Sequence, residues 1–98
     1  MGKRIRIVRG SGNVFEDVGF PKNEANTLLL RADLMLQVER FVKGNGMTKQ
    51  RAANSLRITQ PRLDQLLMRR IELFSLDAPV KMLTNAGMRV ELRVRKTA

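Results

Sequence analysis

A chain of 98 residues that is 43% hydrophobic can build one modest core, and its net charge of +10 makes a polyanion the simplest partner. It contains no Cys and no His, which excludes a disulfide framework, a thiolate metal site and an imidazole general base. The nine acids are scattered and mostly sit beside Arg or Lys, so neither catalysis nor a cofactor is expected.

With four Phe and no Trp or Tyr, the core must come from Leu, Val, Ile, Met and Ala, which favours packed helices. The longest apolar clusters, Leu28-Leu29-Leu30 and Leu34-Met35-Leu36, fall far short of the roughly 20 residues of a membrane span. The basic start, MGKRIRIVRGSG, has no apolar run of a secretory signal, so a cytoplasmic location is expected.

Residues 1–21 read as an extended N-terminal segment. Ile5, Ile7 and Val8 interleave with Arg4, Arg6 and Arg9, a period-two pattern suited to an edge strand or a phosphate-contacting arm. Gly10-Ser11-Gly12-Asn13 and Gly19-Phe20-Pro21 are loop signals, and Val14, Phe15, Val18 and Phe20 can cover one side of the core.

Residues 22–87 carry a helical pattern. The first helix is expected from Asn23, its N-cap, to Lys43, with Leu28, Met35, Val38 and Val42 on one stripe and Leu34 and Phe41 widening it. Gly44-Asn45-Gly46 stops it. Three shorter helices follow, Lys49–Leu56, Gln60–Met68 and Leu76–Asn85, each preceded by a hydroxyl able to cap it: Thr48, Thr59 and Ser75. Pro61 suits a first turn, whereas Pro79 suggests an irregular or late start to the last helix.

In residues 88–98, Met88, Val90, Leu92 and Val94 alternate with Arg89, Glu91, Arg93 and Arg95, predicting a half-buried strand over Met88–Arg95. Its unpaired edges need a partner: Ile5–Val8 of the same chain, the same strand of a second copy, or both. Met88, Val90, Leu92 and Val94 are the candidate dimer interface, with the last helix, through Val80, Met82 and Leu83, as a competing surface.

The functional signal lies in Met47 to Arg70, where two short helices join through Leu56-Arg57-Ile58-Thr59. Ala53 permits close approach, Ile58 plugs the turn, and Leu63 and Leu66 face inward. The outward residues Gln60, Pro61, Arg62, Asp64 and Gln65 are then candidates for contact with base edges in double-stranded DNA. Thr48, Lys49, Gln50, Arg51, Thr59, Arg69 and Arg70 are candidates for phosphate. RNA binding is disfavoured because stacking aromatics and a sheet platform are missing.

Met47-Thr48-Lys49-Gln50, Ala52-Ala53, Ile58-Thr59-Gln60-Pro61-Arg62-Leu63 and Leu66-Leu67 resemble the Xre/lambda-repressor-like helix-turn-helix family. With the flanks Gly10 to Phe15, Gly19-Phe20-Pro21 and Phe74-Ser75-Leu76, the layout looks like a compact subgroup of HigA-type antitoxins paired with RelE-like toxins. The resemblance implies a mainly α, lambda-repressor-like bundle of four to five helices with a C-terminal β-strand. It further implies a homodimer that binds an inverted repeat and represses its own operon, or an antitoxin that neutralises a RelE-like toxin. It places Gln60, Pro61, Arg62 and Gln65 in the groove, and Thr48 and Lys49 at phosphate.

Four departures stand out. Lys49 replaces the usual Gln, Arg51 stands where Glu would complete a capping box, and Arg57 replaces a turn glycine. Arg57 must therefore accept a left-handed conformation. Asp64 on the outward face repels phosphate unless it reads a cytosine amino group or pairs with Arg. For toxin binding, Glu16-Asp17, Glu24, Asp33 and Glu39 are the candidate acidic patch.

Overall fold

The computed structural model describes residues 4–7, 19, 21–94 and 96. Its order is β1 (Arg4–Ile7), α1 (Lys22–Gly44), α2 (Lys49–Leu56), α3 (Gln60–Leu67), a 3-10 turn (Ile71–Leu73), α4 (Asp77–Asn85) and β2 (Arg89–Leu92). This is the expected mainly helical bundle with a C-terminal strand. The readings made for Val8, Arg9, Gly10 to Val18, Phe20 and Arg95 lie outside the described residues.

Helix starts follow local chemistry. Pro21 holds φ −55° and ψ 149°, and its carbonyl accepts from the Ala25 N–H at 2.8 Å. Pro21 thus serves as N-cap in place of Asn23, because its ring already fixes the cap conformation two residues earlier. Asn23 lies inside the first turn, where its Oδ1 accepts from the Glu24 N–H at 2.9 Å. Thr48 and Thr59 cap as expected, accepting from the Arg51 N–H at 3.2 Å and the Arg62 N–H at 3.3 Å.

Ser75 does not cap α4. Its hydroxyl donates to the Asp77 carboxylate, and Leu76 holds the N-cap position without a side-chain bond. With α4 starting at Asp77, Pro79 is its third residue, where a backbone N–H has no intrahelical acceptor to lose.

All four α-helices end in a left-handed residue: Gly46 (φ 59°), Arg57 (φ 57°), Arg69 (φ 60°) and Gly87 (φ 88°). The N–H after each bonds back to the carbonyl five residues earlier, as in Ile58 to Ala53 at 3.0 Å and Met88 to Leu83 at 2.9 Å. Met47, Ile58 and Met88 follow three of these residues and pack on the core, so each chain reversal also buries an apolar side chain. The expected left-handed Arg57 is therefore present. The second such arginine, Arg69, ends α3 at Leu67 rather than Met68.

One core runs through all four helices. Leu34, Val38 and Val42 of α1 meet Ala52, Ala53 and Leu56 of α2, Leu63 and Leu66 of α3, Phe74, and Met82 and Leu83 of α4. Leu28, expected on the α1 stripe, is only half-buried, as is Phe41. Ala25 and Glu39 are buried there instead. Met82 and Leu83 lie inside this core, so they are not available as the competing dimer surface.

The terminal strand pairs with β1 of its own chain. The two run parallel, with Arg4 opposite Arg89 and Ile7 opposite Leu92. Parallel strands need a long crossover, and here the whole helical body supplies it. Among the described residues β2 spans Arg89–Leu92, opposite Arg4–Ile7, and so is shorter than Met88–Arg95; Met88 is used in the turn that ends α4. No helix among the described residues is long and apolar enough to cross a membrane.

Candidate nucleic-acid interface

The α2–α3 unit is set by small residues at its crossing and by its turn. Ala52 and Ala53 are fully or almost fully buried, which lets α3 approach the α2 backbone. Ile58 packs into the core, while Leu63 and Leu66 anchor the inner face of α3. A fourth element braces the turn: the Asn85 side-chain amide of α4 donates to the Leu56 carbonyl at 3.2 Å. No sequence periodicity marks Asn85, since it reads as an ordinary helix end.

That packing turns one face of α3 outward. Gln60 and Pro61 are exposed in its first turn, and Arg62, Asp64 and Gln65 are half-exposed beside them. Thr48, Lys49, Gln50, Arg51 and Thr59 are all exposed at the starts of α2 and α3. Lys49 Nζ lies 2.8 Å from Asp64 Oδ1, so the first residue of α2 is tied to the middle of α3. Asp64 thereby finds a cation, and the partner is Lys49 rather than an arginine.

Arg62 has two neighbours. Its guanidinium carbon sits 3.9 Å from the centroid of the Phe74 ring, and its Nη1 donates to Gln65 Oε1 at 3.4 Å. Phe74 itself is 1% exposed. In the sequence Phe74 stands only as a flank of the motif, with nothing in its spacing to tie it to Arg62. A lone aromatic just after the 3-10 turn was the available signal.

Arg69 and Arg70 are exposed but lie beyond the other end of α3, away from Gln60. The candidate dimer residues divide: Met88 and Val90 pack on the core, whereas Leu92 is 49% and Val94 94% exposed.

Residues 14–95 match the family model described as a helix-turn-helix domain. The chain belongs to the helix-turn-helix domain family. No curated protein matches it as a relative. Family and architecture together support DNA as partner and a DNA-binding regulator as function class.

In this helix-turn-helix domain the far end of α3 is held by a carboxylate. Glu39 of α1 is buried, accepts from Lys43 Nζ at 2.8 Å, and lies 3.6 Å from Arg69 Nε. The Lys43 hydrogen bond lowers the Glu39 pKa below its ordinary value against the opposing effect of burial, and both cations add to the lowering. Glu39 is thus compensated within its own chain, which removes it from the acidic patch expected to meet a toxin. Glu16 and Asp17 of that patch lie outside the described residues.

Proposed function

We propose that the chain is a cytoplasmic, non-enzymatic transcriptional repressor that binds an inverted-repeat operator as a homodimer and controls its own promoter. The observation that carries this reading is the outward cluster Gln60, Pro61, Arg62 and Gln65 at the capped start of α3, beside Lys49 of α2, in a chain of the helix-turn-helix family. An α3 start of this kind fits the major groove, with side chains reaching base edges and Thr48, Lys49, Gln50, Arg51 and Thr59 at the flanking phosphates.

The outer edge of β2 supports the dimer. Antiparallel pairing of two β2 strands about a two-fold axis at Leu92 sets Leu92 against Leu92, Val90 against Val94, and Glu91 against Arg93 of the second copy. Apolar residues meet apolar ones and Glu91 meets Arg93 across the axis, although the same register also opposes Arg89 and Arg95. The exposure of Leu92 and Val94 accords with this. Two recognition helices would then enter successive major grooves roughly 34 Å apart.

The test is footprinting on the protein's own promoter, with competitor DNA, at two salt concentrations. Protection of an inverted repeat that survives competitor is the expected result. Uniform loss of binding with salt and no footprint would reduce the function to electrostatic attraction. The alternative, an antitoxin acting on a RelE-like toxin, has less support because Glu39 is internally paired. Copurification with the product of a neighbouring gene would favour it.

A further inference from the structure

We infer that Phe74, which lies outside the helix-turn-helix segment itself, is a positioning residue that makes the Arg62–Gln65 pair select guanine. The inference rests on the DNA-regulator reading and goes further, to which base is read and what fixes the reader.

An arginine on a helix surface ordinarily samples many rotamers, and ordering it opposes binding. Here the Arg62 guanidinium is seated 3.9 Å from the centroid of a ring that is itself locked in the core. A contact through the ring face consumes none of the five N–H donors of the guanidinium. The side chain is held while its hydrogen-bonding edge stays available.

Gln65 completes the arrangement. Its Oε1 accepts from Arg62 Nη1, so its amide N–H₂ is the group left for the groove. The pair therefore presents donors. In the major groove guanine offers two acceptors, N7 and O6, whereas adenine offers one acceptor and one donor. With Arg62 supplying donors and one lone pair of Gln65 Oε1 already engaged, the pair favours the two acceptors of guanine, and Gln65 is drawn away from the adenine recognition it would have alone.

Selection from a random duplex library, followed by binding of single-base variants, tests this. The wild-type protein is expected to enrich a motif with guanine at one position per half-site and to prefer it to adenine by about tenfold or more. Phe74→Leu, which keeps an apolar side chain in the core, should lose most of that preference while affinity for unrelated DNA and its salt slope stay unchanged. Arg62→Lys, a surface change that keeps the charge, should lose the preference likewise, and the double variant no more than either alone.

Retention of the guanine preference in either variant would overturn the inference. So would an equal loss on all sequences, or a further loss when Phe74→Leu is added to Arg62→Lys. A wild-type protein that enriches no motif would sink the regulator reading itself, whereas retention in Phe74→Leu sinks the role of Phe74 and retention in Arg62→Lys sinks the assignment of Arg62 to guanine. Phe74→Met, which also keeps an apolar side chain in the core but removes the ring, supplies the test if Phe74→Leu does not fold.

Discussion

Lys49 and Asp64 form a 2.8 Å ion pair on the face that would meet DNA, so a cation expected at phosphate is partly neutralised by the one acid of the recognition helix. Both side chains are about half-exposed or more, which makes the pair weak and open to competition from a phosphate. Asp64→Asn should release Lys49, strengthen binding to all duplexes and steepen the salt dependence by about one counterion. Lys49→Ala should weaken binding uniformly and lower that slope. Salt titrations of binding to an operator and to an unrelated duplex decide; unequal effects on the two would assign Asp64 to base reading instead.

Arg57 holds φ 57° and ψ 47° without the freedom of glycine. Arg57→Gly should stabilise the fold by about 0.5–1 kcal/mol, since glycine adopts this conformation without a Cβ clash. For a domain of this size that corresponds to a rise of a few degrees in Tm, roughly 2–8 °C. Arg69→Gly should gain less, because Arg69 also faces Glu39. Thermal melts of the two variants rank them, and a larger gain from Arg69→Gly would contradict the role given to that ion pair.

Glu39 makes stability depend on acid. Its pKa is depressed in the folded chain, so its contribution is complete above the unfolded-state value and is lost as pH falls through the lower folded value. Glu39→Gln should cost about 1–2 kcal/mol near neutral pH, because Lys43 and Arg69 are exposed and can be rehydrated. The difference between wild type and variant should shrink as pH falls below the ordinary glutamate value and through the lower folded one in urea denaturation. A difference that held constant across that range would mean that the carboxylate charge does not contribute.

Asn85 ties the end of α4 to the last carbonyl of α2. Asn85→Ala should cost about 1 kcal/mol and loosen the turn between the two DNA-facing helices. Hydrogen exchange at the Arg57 and Ile58 amides reports that loosening directly. Unchanged exchange there would confine Asn85 to a surface role.

The strand proposal has its own check. Leu92→Glu places like charges across the two-fold axis and removes the apolar pair, so sedimentation should shift from dimer to monomer at micromolar concentration. Operator affinity should fall with it, while binding to a single half-site should be retained. A dimer that persists would move the interface elsewhere.

Local chemistry was readable directly. Thr48 and Thr59 cap because a hydroxyl one step before a helix can reach a free N–H, and Arg57 is left-handed because the turn after Leu56 demands it whatever residue stands there. Leu63 and Leu66 are buried because their i, i+3 spacing gives them a common face of α3, and Ala53 because a small residue stands where α2 meets that face. Where the reading missed, a competing local group took over: Pro21 displaced Asn23 as cap, and Asp77 drew away the Ser75 hydroxyl.

The sequence alone therefore determined the helices, their stops, the basic excess and the outward residues of α3, since all of these follow from neighbours within a turn or two. Tertiary structure decided which of those outward residues have partners. Lys49 meets Asp64, Arg62 meets Phe74 and Arg69 meets Glu39 only because α1, α2 and the segment after α3 are folded against the recognition helix. It also decided that β2 pairs with β1 across the length of the chain. Contacts between residues far apart in sequence depend on how helices cross, and no periodicity along the chain encodes that angle.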